Sequence, residues 1–128
     1  MVYRFHLAAC IWAFIIAVLA LIPANMFPDE DLLGALKLDK LIHFLEYFIL
    51  CLLVMVGFKK HYFYGGFNYH PNISAIVACV FFGCIIELLQ NFVTTRSFEW
   101  KDILANNAGI LAGVIVFRWI YGKRLFYA

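Results

Sequence analysis

Hydrophobic positions along the chain fall into four long runs separated by polar segments. The runs cover Phe5–Ile22, Leu41–Phe58, Ile73–Val93 and Ile103–Tyr121. Each run approaches the ~20 residues that an α-helix needs to cross a hydrocarbon core of about 30 Å. None shows the strict alternation of a barrel strand, and backbone groups in lipid must be paired within the spanning element. The pattern predicts an all-α integral membrane bundle of four transmembrane helices, with residues 1–128 as a single domain.

Composition supports the membrane interpretation and excludes other classes. Hydrophobic residues make up 66% of the chain and charged residues 14%, whereas soluble domains are roughly half apolar and about a quarter charged. The net charge of +2 comes with no basic run interleaved with aromatic residues, so no nucleic acid partner is expected. The lipid bilayer is the expected environment of most side chains.

The cysteines indicate no cofactor or metal centre. Cys10, Cys51, Cys79 and Cys84 all lie inside apolar runs, and none forms a CxxC pair. This pattern predicts small buried hydrophobic side chains rather than a zinc site or a disulfide framework. No cofactor is expected.

Basic residues near the ends of the runs predict the orientation. The first run is long and lacks a small-x-small cleavage site after it, so we interpret it as a retained span. Four spans place both termini on one side, together with Lys59 and Lys60 of the second loop. The positive-inside bias assigns that side to the cytoplasm. The loops after the first and third runs then face outward, although they also carry Lys37, Arg96 and Lys101.

With this topology, the polar residues of the spans collect at the extracytoplasmic end. At about 100° per residue they form one stripe on each of the last three helices. An ionised side chain near the bilayer centre costs roughly 2.5–3.5 kcal/mol, so such residues turn inward and pair or line a cavity. We therefore predict a converging polar pocket. Its candidate residues are Asp39, Lys40, His43, Tyr47, Glu87, Gln90, Arg96, Asp102 and Asn106.

Within this set, the expected pairs are Glu87 with Arg96 and Asp102 with Lys40 or His43, with amide links through Gln90 and Asn106. Asp39 and Asp102 could instead serve only as N-caps of their helices. Gly109 and Gly113 form a small-xxx-small pair that predicts close packing of the last helix.

Two sequence blocks resemble the VanZ-like membrane proteins, a family named after a teicoplanin-resistance protein. Leu38–Leu50 carries the Asp-Lys, His-Phe and Tyr pattern of the family, and Ile86–Gly113 carries its Glu, Gln, Arg, Asp, Asn and Gly positions. Many members have Asp before the glutamate, where this chain has Ile86. A mechanism that needs two adjacent carboxylates is therefore not expected here.

The resemblance implies a multi-pass bacterial membrane protein whose founding member lowers susceptibility to a lipoglycopeptide antibiotic. The function that we favour is binding or shielding of an amphiphilic or lipid-linked envelope molecule, with Lys40, Arg96 and Lys101 contacting an anionic group. A lipoglycopeptide is itself a candidate ligand, because it carries an acyl tail.

Three alternatives stay open at this point. A membrane-embedded enzyme acting on a lipid or cell-wall precursor would use Glu87 or Asp102 as base and His43 as acid or orienting group. His43 and Glu46 at i and i+3, with Glu87 and Asp102 opposite, could hold a divalent metal ion. An interhelical network that only fixes packing is the third.

Overall fold

The computed structural model consists of four α-helices in the part of the chain that it describes, which confirms the predicted all-α bundle. The described residues are 3–23, 26, 38–65, 71–94 and 96–125. The helices are α1 (Arg4–Ala20), α2 (Leu38–Gly65), α3 (Pro71–Val93) and α4 (Trp100–Leu125).

Three of these helices are long and apolar enough to cross a membrane. The spans are Leu38–Lys60, Asn72–Val93 and Trp100–Gly122, with 23, 22 and 23 residues. The first predicted span is shorter than the others, since α1 has 17 residues and rises only about 25 Å. Its apolar stretch, His6–Ala20, is correspondingly brief.

The surface of the bundle is apolar along its length. Exposed large hydrophobic side chains occur on every helix, among them Phe14, Leu41, Phe81 and Leu111. Such a surface is unfavourable in water and favourable against lipid tails. The chain is therefore a membrane protein by structure as well as by composition.

Helix α2 is the centre of the bundle and packs against each of the other three, most extensively against α4. Along its middle, a buried apolar core joins the four helices. The core consists of Ile16, Tyr47, Leu50, Cys51, Met55, Ala75, Cys79, Ile110, Val114 and Phe117.

Two glycines allow α4 to approach α2 closely, as the small-xxx-small spacing predicts. A Cβ atom at Gly109 would overlap the backbone oxygen of Phe44 and lie 3.0 Å from the backbone nitrogen of Phe48. A Cβ atom at Gly113 would lie 2.9 Å from Cβ of Cys51 and 3.1 Å from the oxygen of Phe48. Backbone therefore packs on backbone at this contact, which fixes α4 against the N-terminal half of α2.

Candidate functional site

The polar residues predicted from the sequence lie at one end of the bundle, where α2 begins, α3 ends and α4 begins. Only a few residues, 94 and 96–99 among them, lie between α3 and α4, so polar side chains from these elements meet. We call this group the polar cluster. It comprises Asp39, Lys40, His43, Tyr47, Glu87, Gln90, Arg96, Glu99, Asp102 and Asn106.

The ammonium group of Lys40 is the hub of the cluster. Its Nζ donates hydrogen bonds to Oδ2 of Asp39 at 3.0 Å and to Oε2 of Glu99 at 2.7 Å. It also forms an ion pair with Oδ1 of Asp102, whose side chain is only 6% exposed. Because charge-assisted bonds of this kind are strong, Lys40 ties α2 to α4 and to the turn before it. The predicted pairing of Asp102 with Lys40 is confirmed.

The imidazole of His43 lies close to the same two aspartates. Its Nε2 is 3.8 Å from Oδ1 of Asp39 and 3.8 Å from Oδ2 of Asp102. Each aspartate thus directs one oxygen toward Lys40 and the other toward His43. On the opposite edge of the ring, Nδ1 of His43 is 3.1 Å from Oδ1 of Asn106.

The arginine joins the cluster through Asp39. Nη2 of Arg96 is 3.4 Å from Oδ1 of Asp39. The turn that positions it is closed by Thr94, whose hydroxyl donates to the backbone oxygen of Gln90 at 2.6 Å and accepts from the backbone N–H of Arg96 at 3.1 Å. The expected pair of Glu87 with Arg96 stays a prediction.

Gln90 connects the cluster to the first helix. Its Nε2 donates to the backbone oxygen of Ala20 at 3.1 Å, and the side chain is buried. Ala20 is the last residue of α1, where carbonyl groups lack intrahelical partners. The amide therefore satisfies a helix end and holds α1 against α3.

Two predicted residues lie deeper, with polar atoms that make no hydrogen bond. Tyr47 and Glu87 are each 1% exposed. The hydroxyl of Tyr47, Oε1 of Glu87 and Nδ2 of Asn106 are buried without a hydrogen-bond partner among the described residues. The ring of Tyr47 packs on Gly83, where an added Cβ would lie 3.1 Å from Cε1. A buried polar atom without a hydrogen bond costs free energy of desolvation. The three atoms lie on the inner, most buried side of the polar cluster.

Comparison with protein families identifies the family of this chain. A family profile described as VanZ/LLP1 matches residues 4–121. The chain belongs to the VanZ/LLP1 family. Searches of curated proteins and of solved structures found no match. The VanZ/LLP1 match covers all four helices almost completely, in keeping with the predicted single domain over residues 1–128, which stays a prediction.

One residue of the cluster was not predicted. Glu99 lies in the turn before α4, and its carboxylate bonds Lys40 across 59 positions of sequence. Its backbone oxygen also accepts the N–H of Asp102 at 3.0 Å, which marks the first turn of α4. The spacing of Glu99, three positions before Asp102, is the sequence signal that could have indicated its place in the cluster. The same spacing is equally typical of a solvent-exposed turn before a helix.

The converging polar pocket predicted from the sequence stays a prediction. The polar side chains contact one another, and a cavity of ≈ 10 Å³ lies beside them, lined by residues of α3 and α4 that include Cys79, Gly83, Asn106 and Ile110. That volume is about the size of one water molecule. Deep burial of a ligand would therefore require the cluster to open.

Proposed function

We propose that this VanZ/LLP1 protein acts in the bacterial cytoplasmic membrane, where its polar cluster binds or shields the head group of an amphiphilic or lipid-linked envelope molecule. Both termini would lie in the cytoplasm, and the cluster would face the extracytoplasmic side. Binding of such a molecule by the polar cluster would lower the susceptibility of the bacterium to a glycopeptide such as teicoplanin. The family resemblance implies this effect for the founding member. The ligand could also be the lipoglycopeptide itself.

The observation that carries this proposal is a gradient of exposure through the cluster. The side chains of Glu99 and Asp39 are 50% and 39% exposed, whereas those of Asp102 and His43 are 6% and 9% exposed. Polar surface thus continues from the water-facing edge into the space between three helices. A head group could reach the edge from outside without crossing an apolar barrier.

Apolar side chains border this edge and suit the tail of the same molecule. Leu41 on α2, Phe92 and Val93 at the end of α3, and Trp100 at the start of α4 are all exposed. An acyl or polyprenyl chain lying along these residues would stay in the bilayer while its head contacts the cluster. A tryptophan at the interface also favours this depth in the membrane.

Of the three cations expected from the sequence to contact an anionic head group, the structure favours Arg96 and Lys101 over Lys40. Lys40 is enclosed by three carboxylates, so it organises the cluster rather than offering charge to a ligand. Arg96 has five N–H donors in a planar fork, and its side chain is 23% exposed. Together with the exposed Lys101, Arg96 is the better candidate for a phosphate or carboxylate.

The binding proposal is tested by native mass spectrometry of gently solubilised protein. We expect wild type to carry a specific lipid or lipid-linked adduct that is lost in Arg96→Ala. Arg118→Ala is the matched control, because Arg118 is an exposed arginine near the opposite end of α4. Identical spectra for wild type and Arg96→Ala, with the fold intact, would contradict the proposal.

The resistance component needs a separate measurement. Expression of wild type in a teicoplanin-susceptible Gram-positive host should raise the inhibitory concentration, and Arg96→Ala at equal abundance should not. An unchanged inhibitory concentration with wild type would remove antibiotic susceptibility from the proposal while leaving ligand binding to be judged by the spectra.

A second candidate is a membrane-embedded enzyme acting on a lipid or cell-wall precursor. It is favoured by the position of His43 between Asp102 and Asn106 and by the buried, unpartnered oxygen of Glu87. These are typical arrangements for acid–base catalysis. Turnover of an added lipid-linked substrate by wild type, lost in Glu87→Gln, would support it. Equal turnover in the variant would exclude Glu87 as the base.

A further inference from the structure

Three potential metal ligands converge inside the polar cluster. Asp39, His43 and Asp102 each offer one ligand atom, and these atoms all lie within 4.8 Å of one another. They come from one turn of α2 and the first turn of α4. We infer that these three side chains bind a divalent transition-metal ion. The set differs from the one considered from sequence, since Glu46 and Glu87 are not part of it.

The position of the His43 ring is the observation that points to a ligand. Its Nδ1 lies 3.1 Å from Oδ1 of Asn106. Its Nε2 is directed between two carboxylate oxygens at 3.8 Å each. These separations exceed hydrogen-bond length. One ring nitrogen and two carboxylate oxygens that converge at this spacing form a donor set that a metal ion could bridge.

The surroundings of the His43 imidazole also suit a metal ligand. The His43 side chain is more than nine-tenths buried, so its orientation is fixed by its surroundings. Metal-binding histidines usually donate their second N–H to an oxygen of the protein, which sets the tautomer and the ring plane. Asn106 provides that oxygen from α4, one turn after Asp102.

The distances require a contraction of the three side chains. Zinc lies about 2.0–2.2 Å from histidine nitrogen and carboxylate oxygen, which places tetrahedral ligand atoms roughly 3.3–3.6 Å apart. The observed separations on both sides of Nε2 are slightly longer, at 3.8 Å, and all three ligand atoms lie within 4.8 Å of one another. The two carboxylate oxygens would therefore approach each other by up to about one ångström when an ion binds.

Lys40 does not compete for these atoms. It contacts Oδ2 of Asp39 and Oδ1 of Asp102, whereas the ligand atoms are Oδ1 of Asp39 and Oδ2 of Asp102. Oδ1 of Asp39 also accepts a long hydrogen bond from Arg96. Lys40 and Arg96 therefore orient the carboxylates from outside, as partners of metal-binding carboxylates commonly do.

Charge balance favours an added cation. Asp39, Glu99 and Asp102 carry three negative charges against the two positive charges of Lys40 and Arg96. Excess negative charge at low dielectric is costly. A divalent ion would offset it where the three ligand atoms meet.

The ligand chemistry selects the class of metal. Two carboxylates and one imidazole suit Mn²⁺ or Zn²⁺, whereas Ca²⁺ and Mg²⁺ prefer oxygen ligands alone. Three protein ligands leave at least one coordination position for water or for another oxygen. The site is thus of the open kind that binds a small molecule, rather than the closed kind that only stabilises a fold.

The test uses the full chain, without a histidine tag, in detergent after treatment with a chelator. Mn²⁺ is the primary probe, because thiolates of the four cysteines compete poorly for it. Titration followed by electron paramagnetic resonance should give one bound ion per chain. Asp102→Asn and His43→Ala should each weaken binding at least tenfold, and an excess of Zn²⁺ should displace Mn²⁺.

Two further variants separate a metal site from general electrostatics or misfolding. Glu99→Gln removes one negative charge from a residue that contacts Lys40 and whose side chain is 50% exposed. Because solvent screens a charge at such a position, the affinity should stay within about threefold of wild type. Asn106→Ala keeps all three ligands and should weaken binding about tenfold or more through loss of ring orientation.

The inference fails if wild type binds no stoichiometric Mn²⁺ or Zn²⁺. It also fails if His43→Ala with wild-type circular dichroism binds as well as wild type, or if Glu99→Gln loses as much affinity as Asp102→Asn. Metal binding is measured without any lipid or antibiotic, so these results are independent of the proposed function.

Discussion

Replacement of Gly109 by alanine should destabilise the bundle more than the same change at Gly83, Gly113 or Gly122. The new Cβ would overlap the backbone oxygen of Phe44, which cannot rotate away as a side chain could. The two helices must therefore separate. A gap of roughly 0.5–1 Å forfeits a quarter to a half of the dispersion attraction at each contact that it opens.

The magnitude follows from the kind of atom met at each glycine. Overpacking costs about 1–3 kcal/mol, and we expect Gly109→Ala at about 3 kcal/mol because the obstacle is backbone. Gly113→Ala should cost less, since its Cβ would lie 2.9 Å from Cβ of Cys51 and 3.1 Å from the backbone oxygen of Phe48, without the overlap that occurs at Gly109. Gly122→Ala is the matched control. It meets no atom within 4 Å and should be neutral or stabilise by up to about 1 kcal/mol through helix propensity.

The assay is reversible unfolding in mixed micelles of a mild detergent and dodecyl sulfate, followed by circular dichroism and tryptophan fluorescence. A free energy of unfolding for Gly109→Ala within about 0.5 kcal/mol of Gly122→Ala would refute the close packing of α4 on α2. The same variant should weaken Mn²⁺ binding, because Gly109 lies one helical turn after Asn106 and the widened gap draws that amide away from His43.

Two further predictions concern the hub and the orientation. Lys40→Met should lower the free energy of unfolding by at least about 2 kcal/mol, because removal of one partner strands the buried Asp102 carboxylate, whereas Glu99→Gln at an exposed position should cost under about 1 kcal/mol. Recovery of stability in Lys40→Met with Asp102→Asn would support this reason, and no recovery would contradict it. In a cysteine-free background, Ser97→Cys should be labelled by an impermeant thiol reagent in whole cells and Lys60→Cys should be protected. The reverse pattern would place the cluster in the cytoplasm.

The sequence predicts the helices well because lipid leaves the backbone few choices. A long apolar run in a bilayer must satisfy its own hydrogen bonds, so run length alone indicates a helix. The helix ends are predicted less well. The first run spans Phe5–Ile22 by composition, but α1 ends at Ala20, and Pro23 follows shortly after. The second run ends at Phe58, but α2 continues to Gly65, so Lys59 and Lys60 lie in the helix and not in a loop. The end of a helix depends on local backbone geometry that hydropathy does not describe.

The convergence of polar residues was predictable, but most of their partners were not. Topology alone places the ends of α2, α3 and α4 together, and it correctly suggested Asp102 with Lys40. The contacts of Arg96 with Asp39 and of Gln90 with the carbonyl of Ala20 depend on the rotation and axial position of each helix. A single sequence gives periodicity within a helix, and it does not give the register between helices.

The N-cap alternative for the two aspartates can be weighed against the geometry. Asp39 and Asp102 both lie in the first turn of their helices, where a carboxylate is favourable beside free N–H groups. Their side chains nevertheless pair with Lys40 and face His43. Each aspartate can therefore lie at the start of its helix and also belong to the polar cluster. The dipoles of α2 and α4 favour negative charge at these positions, where the proposed metal ligands lie.

Charge links the metal inference to the proposed ligand. Without a metal ion, three carboxylates surround Lys40, and an anionic head group would meet a cluster that is already negative. A divalent ion held by Asp39, His43 and Asp102 would make the exposed edge attractive to phosphate or carboxylate, and its open coordination position would accept one oxygen. An adduct that requires Mn²⁺ would therefore identify an anionic ligand held through the metal. An adduct that survives chelation would instead indicate recognition by Arg96 and the amides, with the metal site acting separately.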